Sequence, residues 1–365
     1  MKNTIVHISE VDITTESGMG RIEYYWQQAF ERAGYKFVHI GPKQVGKLLH
    51  KSLFGFNAYR YFKKLKIKPA AFIVHEPTSG FFIKKGIPCF IESHGIERRH
   101  WQAALNGSIP LSGSQSLKTK VFYPAWRLMP CDKGLRSADK ILVSNSDDKE
   151  FVKNFYNRSV EDIFIFNNGF DSNINFSQPT VNNGTFTVLF NGSWIERKGI
   201  YTLINAAAKL HDQHFNIKYL LIGTGSSEEI VLNNWPDNLK NSVTVVPFFK
   251  KNEEQIFLQS ASVFVLPSYF EGQPLSLIQA MANGKCCITT NCCGQKDLIT
   301  NCEDGYLFEV GDEEALAKLI KQCYLNPGII NKTGAAAYKK IQDRSWAQVA
   351  DEVAGYMLSN LNKST

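Results

Sequence analysis

Short apolar runs alternate with longer stretches of helical period along almost the whole chain, a rhythm that admits little besides parallel sheets covered by helices. TIVHIS reads as a strand, followed by a glycine-bearing loop, RIEYYWQQAFERAG as a helix ended by Gly34, and KFVHIG as the next strand. Further strands are expected at AAFIVHE, PCFIES, ADKILVSN and DIFIFNNG, with a helix near DDKEFVKNFY. The rhythm breaks at residues 171–185, DSNINFSQPTVNNGT, whose Asn, Ser, Pro and Gly mark a linker. It restarts with strands at FTVLFNGS, IKYLLIGTG, VTVVPF, SVFVLPS and CCITT, separated by the helices GIYTLINAAAKLHDQ, SSEEIVLNNW, NEEQIFLQSA and PLSLIQAMANG. Two doubly wound α/β domains follow, 1–172 and 173–344, with 345–365 as a terminal helix. A length of 365 residues fits two such domains at roughly 100–200 residues each.

Composition removes other classes. Hydrophobic residues at 44% and charged residues at 21% exclude long disorder, fibrous repeats and a disulfide scaffold. No run approaches the roughly 18 apolar residues of a membrane span, and MKNTIVHISEVD has acidic residues where a signal peptide carries its apolar core. A cytoplasmic chain is expected. Cys89, Cys131, Cys286, Cys287, Cys292, Cys293, Cys302 and Cys323 show no CxxC pair or regular Cys/His spacing, which points to reduced thiols in cores rather than to a metal or disulfide framework. The adjacent pairs, read on extended strands, direct their thiols to opposite faces.

Charge is uneven. Residues 1–180 carry 25 Lys+Arg against 16 Asp+Glu, and residues 181–365 carry 16 against 18. Between Pro42 and Pro69 lie Lys43, Lys47, Lys51, Arg60, Lys63, Lys64, Lys66 and Lys68 with Leu48, Leu49, Leu53, Phe54, Phe56, Tyr59, Tyr61 and Phe62, and no acidic residue. Such a segment, residues 43–68, suits an anionic membrane surface equally with a helix face packed on its own core. Nucleic acid ranks lower, because no module signature accompanies the basic residues.

In open parallel sheets ligands sit beyond the strand carboxyl ends. Four loops there stand out. ESGMGR puts Gly18 and Gly20 before a helix N-terminus, where bare amides and the helix dipole favour phosphate, or simply make a turn. SHGIERRH carries His94, either a functional imidazole or a satisfied strand-end residue. NGSWIERKG places Arg197 and Lys198 before a helix near Gly199, where two cations can hold a diphosphate without metal or remain a solvated pair. In SYFEGQPLSLIQAMANG, Glu271 and Gly272 precede Pro274 at a helix start, a cap or a ligand contact, with Gln279 two turns further on.

The runs NGSWIERKG, LLIGTGSSEE, SVFVLPSYFEGQPLSLIQAMANGKCCITT and DGYLFEVGDEEALAKLI resemble the donor domain of retaining glycosyltransferase family 4, densely over about 185–320 and loosely in the first half. The resemblance implies the GT-B fold, two Rossmann-like domains facing across a cleft. It pairs Glu271 and Gln279 with the family's E-x7-E motif, the first contacting the transferred sugar and the second the ribose. Gln279 keeps an acceptor but loses the charge-assisted part of that bond. Ser193 stands where the family has arginine; Lys198 matches the family lysine, and Arg197 is placed to restore the missing charge. By the same resemblance Gly18 and Gly20 approach phosphate, His94 lies near the reaction centre, Gly223 and Gly225 lie near the nucleotide, and Val246 to Phe248 lie near the base. Gly272, Gln273, Pro274, Leu275 and Ser276 complete the donor contacts. DRSWAQVADEVAGYMLSNL resembles the helix that returns to the first domain, with Trp346 as its anchor.

The implied activity is retaining, metal-independent transfer of a sugar from a nucleotide-diphosphate sugar to a glycan or lipid-linked acceptor, with His94, Lys198 and Glu271 as catalytic residues. No cofactor or metal is expected. The setting is polysaccharide or lipopolysaccharide assembly, with the chain peripheral on the inner membrane face. A nucleotide-sugar epimerase of the same fold, and a silent nucleotide-sugar-binding partner lacking the ordinary Ser193 and Gln279 chemistry, are the alternatives.

Overall fold

The computed structural model describes residues 3–16, 18–84, 86–110, 120, 122–171 and 185–361. All but the end residues of the expected linker, 171–185, lie outside them. The described residues of Met1–Leu105, Gly113–Gly169 and Ser345–Thr365 form one unit, and those of Asn106–Ser112 and Phe170–Arg344 form the other.

The first unit is built on a six-stranded parallel sheet of β1 (Thr4–Ile8), β2 (Lys36–Ile40), β3 (Ala71–His75), β4 (Cys89–Ser93), β5 (Lys140–Val143) and β6 (Ile163–Ile165), in the order β2-β1-β3-β4-β5-β6. Every residue of β1, β3 and β4 is buried, as strands covered on both faces require. Helix Gly18–Arg32 buries Ile22, Trp26, Ala29 and Phe30 at helical spacing. It ends where the Tyr35 amide donates back to Phe30 O at 2.9 Å, with Gly34 at φ +83° supplying the reversal. Helix Trp346–Leu361 packs on it, the Trp346 ring stacked on Tyr25 with centroids 5.0 Å apart.

The second unit repeats the plan with β7 (Phe186–Asn191), β8 (Ile217–Ile222), β9 (Val243–Val246), β10 (Val263–Leu266), β11 (Cys286–Thr290) and β12 (Tyr306–Phe308), in the order β12-β11-β10-β7-β8-β9, all parallel. Phe190, Tyr219 and Phe264 sit at the centre of its core, each at most 2% exposed.

Several local expectations are corrected. The strand read in DIFIFNNG covers only Ile163–Ile165, and the helix read in SSEEIVLNNW only Glu228–Leu232, because Asn233 and Asn234 lead into turns instead of continuing it. Pro274 caps helix Leu275–Ala282 in extended conformation and is not within its first turn. Cys292 and Cys293 lie at a helix start, not on a strand, with Cys293 at φ +50°. None of the eight cysteines is in a disulfide.

Each sheet has one topological switch point, where the chain leaves on one side of a strand and returns on the other. They fall between β1 and β3 and between β7 and β10. Ligands bind at such points because the loops diverge there and leave a crevice.

Candidate donor-binding site

The switch point of the second unit gathers the charged residues picked out by the sequence. Arg197 and Lys198 follow β7 in a single 3-10 turn, Glu196–Lys198, and Glu271 follows β10. Lys198 Nζ lies 2.6 Å from Glu271 Oε1, and Arg197 Nη1 lies 3.7 Å from Glu271 Oε2. Both cations therefore face one carboxylate. The Arg197 guanidinium also donates to Phe270 O, and the Tyr269 amide donates to Arg197 O at 2.9 Å, so the two loops are tied by backbone as well as charge.

Glycines make this approach feasible. A Cβ at Gly199, which has φ +73°, would lie 1.9 Å from Pro267 O. One at Gly294 would lie 2.0 Å from Gly272 O, so the helix start at Cys293–Leu298 presses directly on the loop that carries Glu271. The sequence reading missed Gly294, whose only signal is its place after a cysteine pair.

Burial by itself raises the Glu271 pKa, but Lys198 and then Arg197 outweigh it, and the carboxyl is held below its ordinary range. Glu271 is 7% exposed and stays ionised. Gln279 is 4% exposed, and its Nε2 has no hydrogen-bond partner. A buried amide in that condition has a donor waiting for an acceptor.

The remaining expected donor contacts are spread along the same strand ends. Ser193 is exposed on the loop after β7, and Gly223 and Gly225, at φ +64° and +65°, follow β8. Val246 ends β9 half-buried, whereas Phe248 is 79% exposed. Gln273 and Pro274 are buried, and Gly272, Leu275 and Ser276 half-buried.

In the first unit, Gly18 and Gly20 open helix Gly18–Arg32 after β1, and His94 follows β4. His94 is half-buried, its Nε2 has no hydrogen-bond partner, and its ring meets that of Phe166 in a T-shaped contact at 5.3 Å between centroids. Burial lowers its pKa against the pull of Glu92, leaving a neutral imidazole. Behind it stands a polar interior that the sequence reading did not find. His7 Nε2 donates to Glu92 Oε1 at 3.0 Å, and His7 Nδ1 lies 2.9 Å from His39 Nδ1. Ser93 Oγ donates to Glu76 Oε2 at 2.6 Å. The only signal was His and Glu at inward positions of otherwise apolar strands.

Burial pushes Glu76 up to about 8, with Glu97 adding to it, and lowers His75 to about 4. Burial would raise Glu92 too, but adjacent His7 holds it down at about 2. His7 is raised, its burial outweighed by Glu92 and Glu23.

Two parallel six-stranded units, with a charged cluster at the switch point of the second, have the GT-B fold. Solved structures share this fold: sucrose-phosphate synthase from Thermosynechococcus elongatus matches with a TM-score of 0.81 at 19% identity, covering 100% of both chains. Anabaena HepE, solved in complex with UDP and glucose, matches with a TM-score of 0.70 at 14% identity, covering 98% of this chain and 99% of that one. Residues 171–340 match the model of the family glycosyl transferases group 1. Among curated proteins, the capsular polysaccharide biosynthesis glycosyltransferase CapM of Staphylococcus aureus is 26% identical over 183 residues, 50% of this chain and 48% of CapM. The chain spans about half the length of the curated relatives it matches first.

Proposed function

We propose that the chain transfers a sugar, with retention and without a metal at the diphosphate, from a nucleotide-diphosphate sugar to a glycan or lipid-linked acceptor in cell-surface polysaccharide or lipopolysaccharide assembly. The observation that carries this is the convergence of Lys198 and Arg197 on Glu271 at the β7/β10 switch point, within residues that match the family. Before donor binds, the carboxylate keeps both cations oriented. When a diphosphate arrives, Lys198 and Arg197 supply the positive charge that grows in importance as the glycosidic bond breaks and the leaving group gathers negative charge. Glu271 then holds a hydroxyl of the transferred sugar as a charged acceptor.

The Gln279 Nε2 takes a ribose hydroxyl oxygen as the acceptor it lacks. His94, neutral, donates or accepts a hydrogen bond beside the sugar and is not a nucleophile. The departing phosphate takes the acceptor proton, so no protein base is required. The similarity to CapM, a glycosyltransferase of capsular polysaccharide biosynthesis, and to HepE, which binds UDP and glucose, favours this substrate class.

A cytoplasmic chain resting on the inner membrane face completes the proposal. Helix Phe54–Leu65 buries Phe54, Ala58 and Phe62 in its own core, while Leu49, Leu53 and Phe56 remain exposed at 99%, 39% and 50% among the lysines of 43–68. Thus one face of the segment packs inward and another is left to enter an anionic interface. Among the described residues, no helix is long and apolar enough to cross a membrane.

The test is release of nucleotide diphosphate from UDP-, GDP- and ADP-sugars with membrane lipid extract as acceptor and EDTA present. Release from one donor that needs the extract and vanishes in Glu271→Ala supports the proposal. Isomerisation or free-sugar release without extract favours an epimerase. Donor binding without turnover, persisting in Gln279→Glu, favours a silent partner.

A further inference from the structure

The first unit contains a cluster to which sugar transfer gives no work. His7 on β1, His39 on β2 and Glu23 on helix Gly18–Arg32 bring one ligand atom each to within 4.8 Å of one another. His7 and His39 are register partners on neighbouring parallel strands, so their rings share a face of the sheet, and their Nδ1 atoms stand 2.9 Å apart. Glu23 reaches the same face from the helix. It is 1% exposed, and neither carboxylate oxygen has a hydrogen-bond partner; His7 Nε2, at 4.0 Å from Oε1, is too far to provide one. Burial raises this carboxyl to about 8 against the pull of His7 and, more weakly, of the Ser9 hydroxyl, so a cation arriving beside it would relieve the cost of its burial.

Two surrounding features suit a metal ion. Glu92, itself fully buried, accepts the His7 Nε2 proton at 3.0 Å and leaves Nδ1 turned to His39, while Glu23 Oε1 lies 4.0 Å from Nε2. A carboxylate behind a histidine ligand, fixing its tautomer and ring orientation, is the usual support of a metal-bound imidazole. Gly41 is the second feature: a Cβ there would lie 2.3 Å from His39 Nε2 and 2.8 Å from Asp12 Oδ1, so the outer edge of the His39 ring occupies space that only a glycine leaves. His39 is half-buried and thereby gives the cluster a way in from solvent.

We propose that His7, His39 and Glu23 bind a divalent first-row transition metal, Zn2+ suiting them best, with Glu92 as a positioning residue. Two imidazole nitrogens and one carboxylate are donors that Zn2+ accepts without a demand for one geometry. Metal–ligand bonds of about 2.0–2.2 Å draw the widest-spaced of the three atoms together by about an ångström, leaving a fourth position for water. The ion joins β1, β2 and the helix between them, a structural clamp within the first unit. None of its ligands is used in the transfer proposed above, and the inference stands or falls without it.

The test is direct binding. Chelator-stripped protein is titrated with Zn2+ and, separately, Co2+, reading bound metal per chain, the change in Tm and the Co2+ absorption spectrum. The expected result is one equivalent bound, a Tm raised by Zn2+, and Co2+ ligand-field bands with no thiolate charge-transfer band. His39→Ala and Glu23→Gln lose the bound equivalent and the Tm shift, while Glu92→Gln weakens binding roughly 10–100-fold. Glu23→Leu removes the unpaired carboxyl in favour of an apolar group, folds without it, and binds no metal. The proposal is overturned if wild type binds no equivalent, if binding survives in Glu23→Leu, or if a thiolate band assigns the metal to cysteines.

Discussion

The two units share a six-stranded parallel sheet and a switch point beside the first strand, yet they place their ionisable groups differently. In the second unit, Arg197, Lys198 and Glu271 stand on loops at the strand ends, above a core of Phe190, Tyr219 and Phe264. In the first unit, His7, His75 and Glu92 lie on the strands themselves, with Glu23 and Glu76 beside them, all of them buried. Arg197 and Lys198 keep part of their exposure and can turn from buried Glu271 toward a ligand. Strand charges have been desolvated by folding and must be satisfied from within. The contrast separates a surface prepared for an arriving anion from an interior that holds its own charge.

The most severe break should come from Lys198→Ala. It removes leaving-group stabilisation, so turnover falls roughly 10²–10³-fold, and it strands a buried Glu271, at about 3–5 kcal/mol of stability by chemical denaturation. Pairing Lys198→Met with Glu271→Leu recovers the stability without recovering turnover. Recovery of both would erase the functional distinction between the units.

Trp346→Ala is next, because the ring is 3% exposed and stacked on Tyr25. A loss of about 3–5 kcal/mol should appear as faster hydrogen exchange in β1 and helix Gly18–Arg32, with the second unit's strands unchanged. Equal loss of protection in β7 and β8 would contradict it.

Opposite pH responses sharpen the comparison further. Glu76 is raised from 4.5 to about 8, so its contribution to first-unit stability is complete below pH 4.5 and is lost as pH rises through 8. Lys285 in the second unit, fully buried and bonded to Ala261 O at 3.0 Å, is lowered by burial from 10.5 to about 8. Its contribution is complete above pH 10.5 and is lost as pH falls through 8. Hydrogen exchange resolved by unit should therefore show slopes of opposite sign, each up to roughly 1.4 kcal/mol per pH unit, flattened by Glu76→Gln in the first unit and by Lys285→Met in the second.

A last difference concerns the basic segment. Changing Lys47, Lys51, Lys63 and Lys64 to Glu should weaken partition onto anionic vesicles by about 1 kcal/mol per lysine, with no change on neutral ones. An unaltered partition coefficient would remove the membrane from the first unit's role.

Much of this was legible in advance. The strands TIVHI, AFIVH, CFIES, FTVLFN and CCITT are dense in apolar residues because both faces of their sheets are covered, and that density survives in one dimension. Arg197, Lys198 and Glu271 were found because loops after strands carry ligands and because their surroundings resemble a family. The interior of the first unit was not found. His7, Glu23, Glu76 and Glu92 are single polar residues in apolar surroundings, and no spacing distinguishes a pair that will meet from a pair that will not.

The sequence by itself determined the α/β rhythm, the restart after residue 185, the basic bias of the first half and the candidate cations of the donor loop, all of which are local or additive properties. Tertiary structure decided strand order, and with it the switch points that set Lys198 beside Glu271 across 73 residues and His7 beside Glu92 across 85. Hydrogen bonds and ion pairs act over a few ångströms of space, and only the folded sheets convert such separations in sequence into contact.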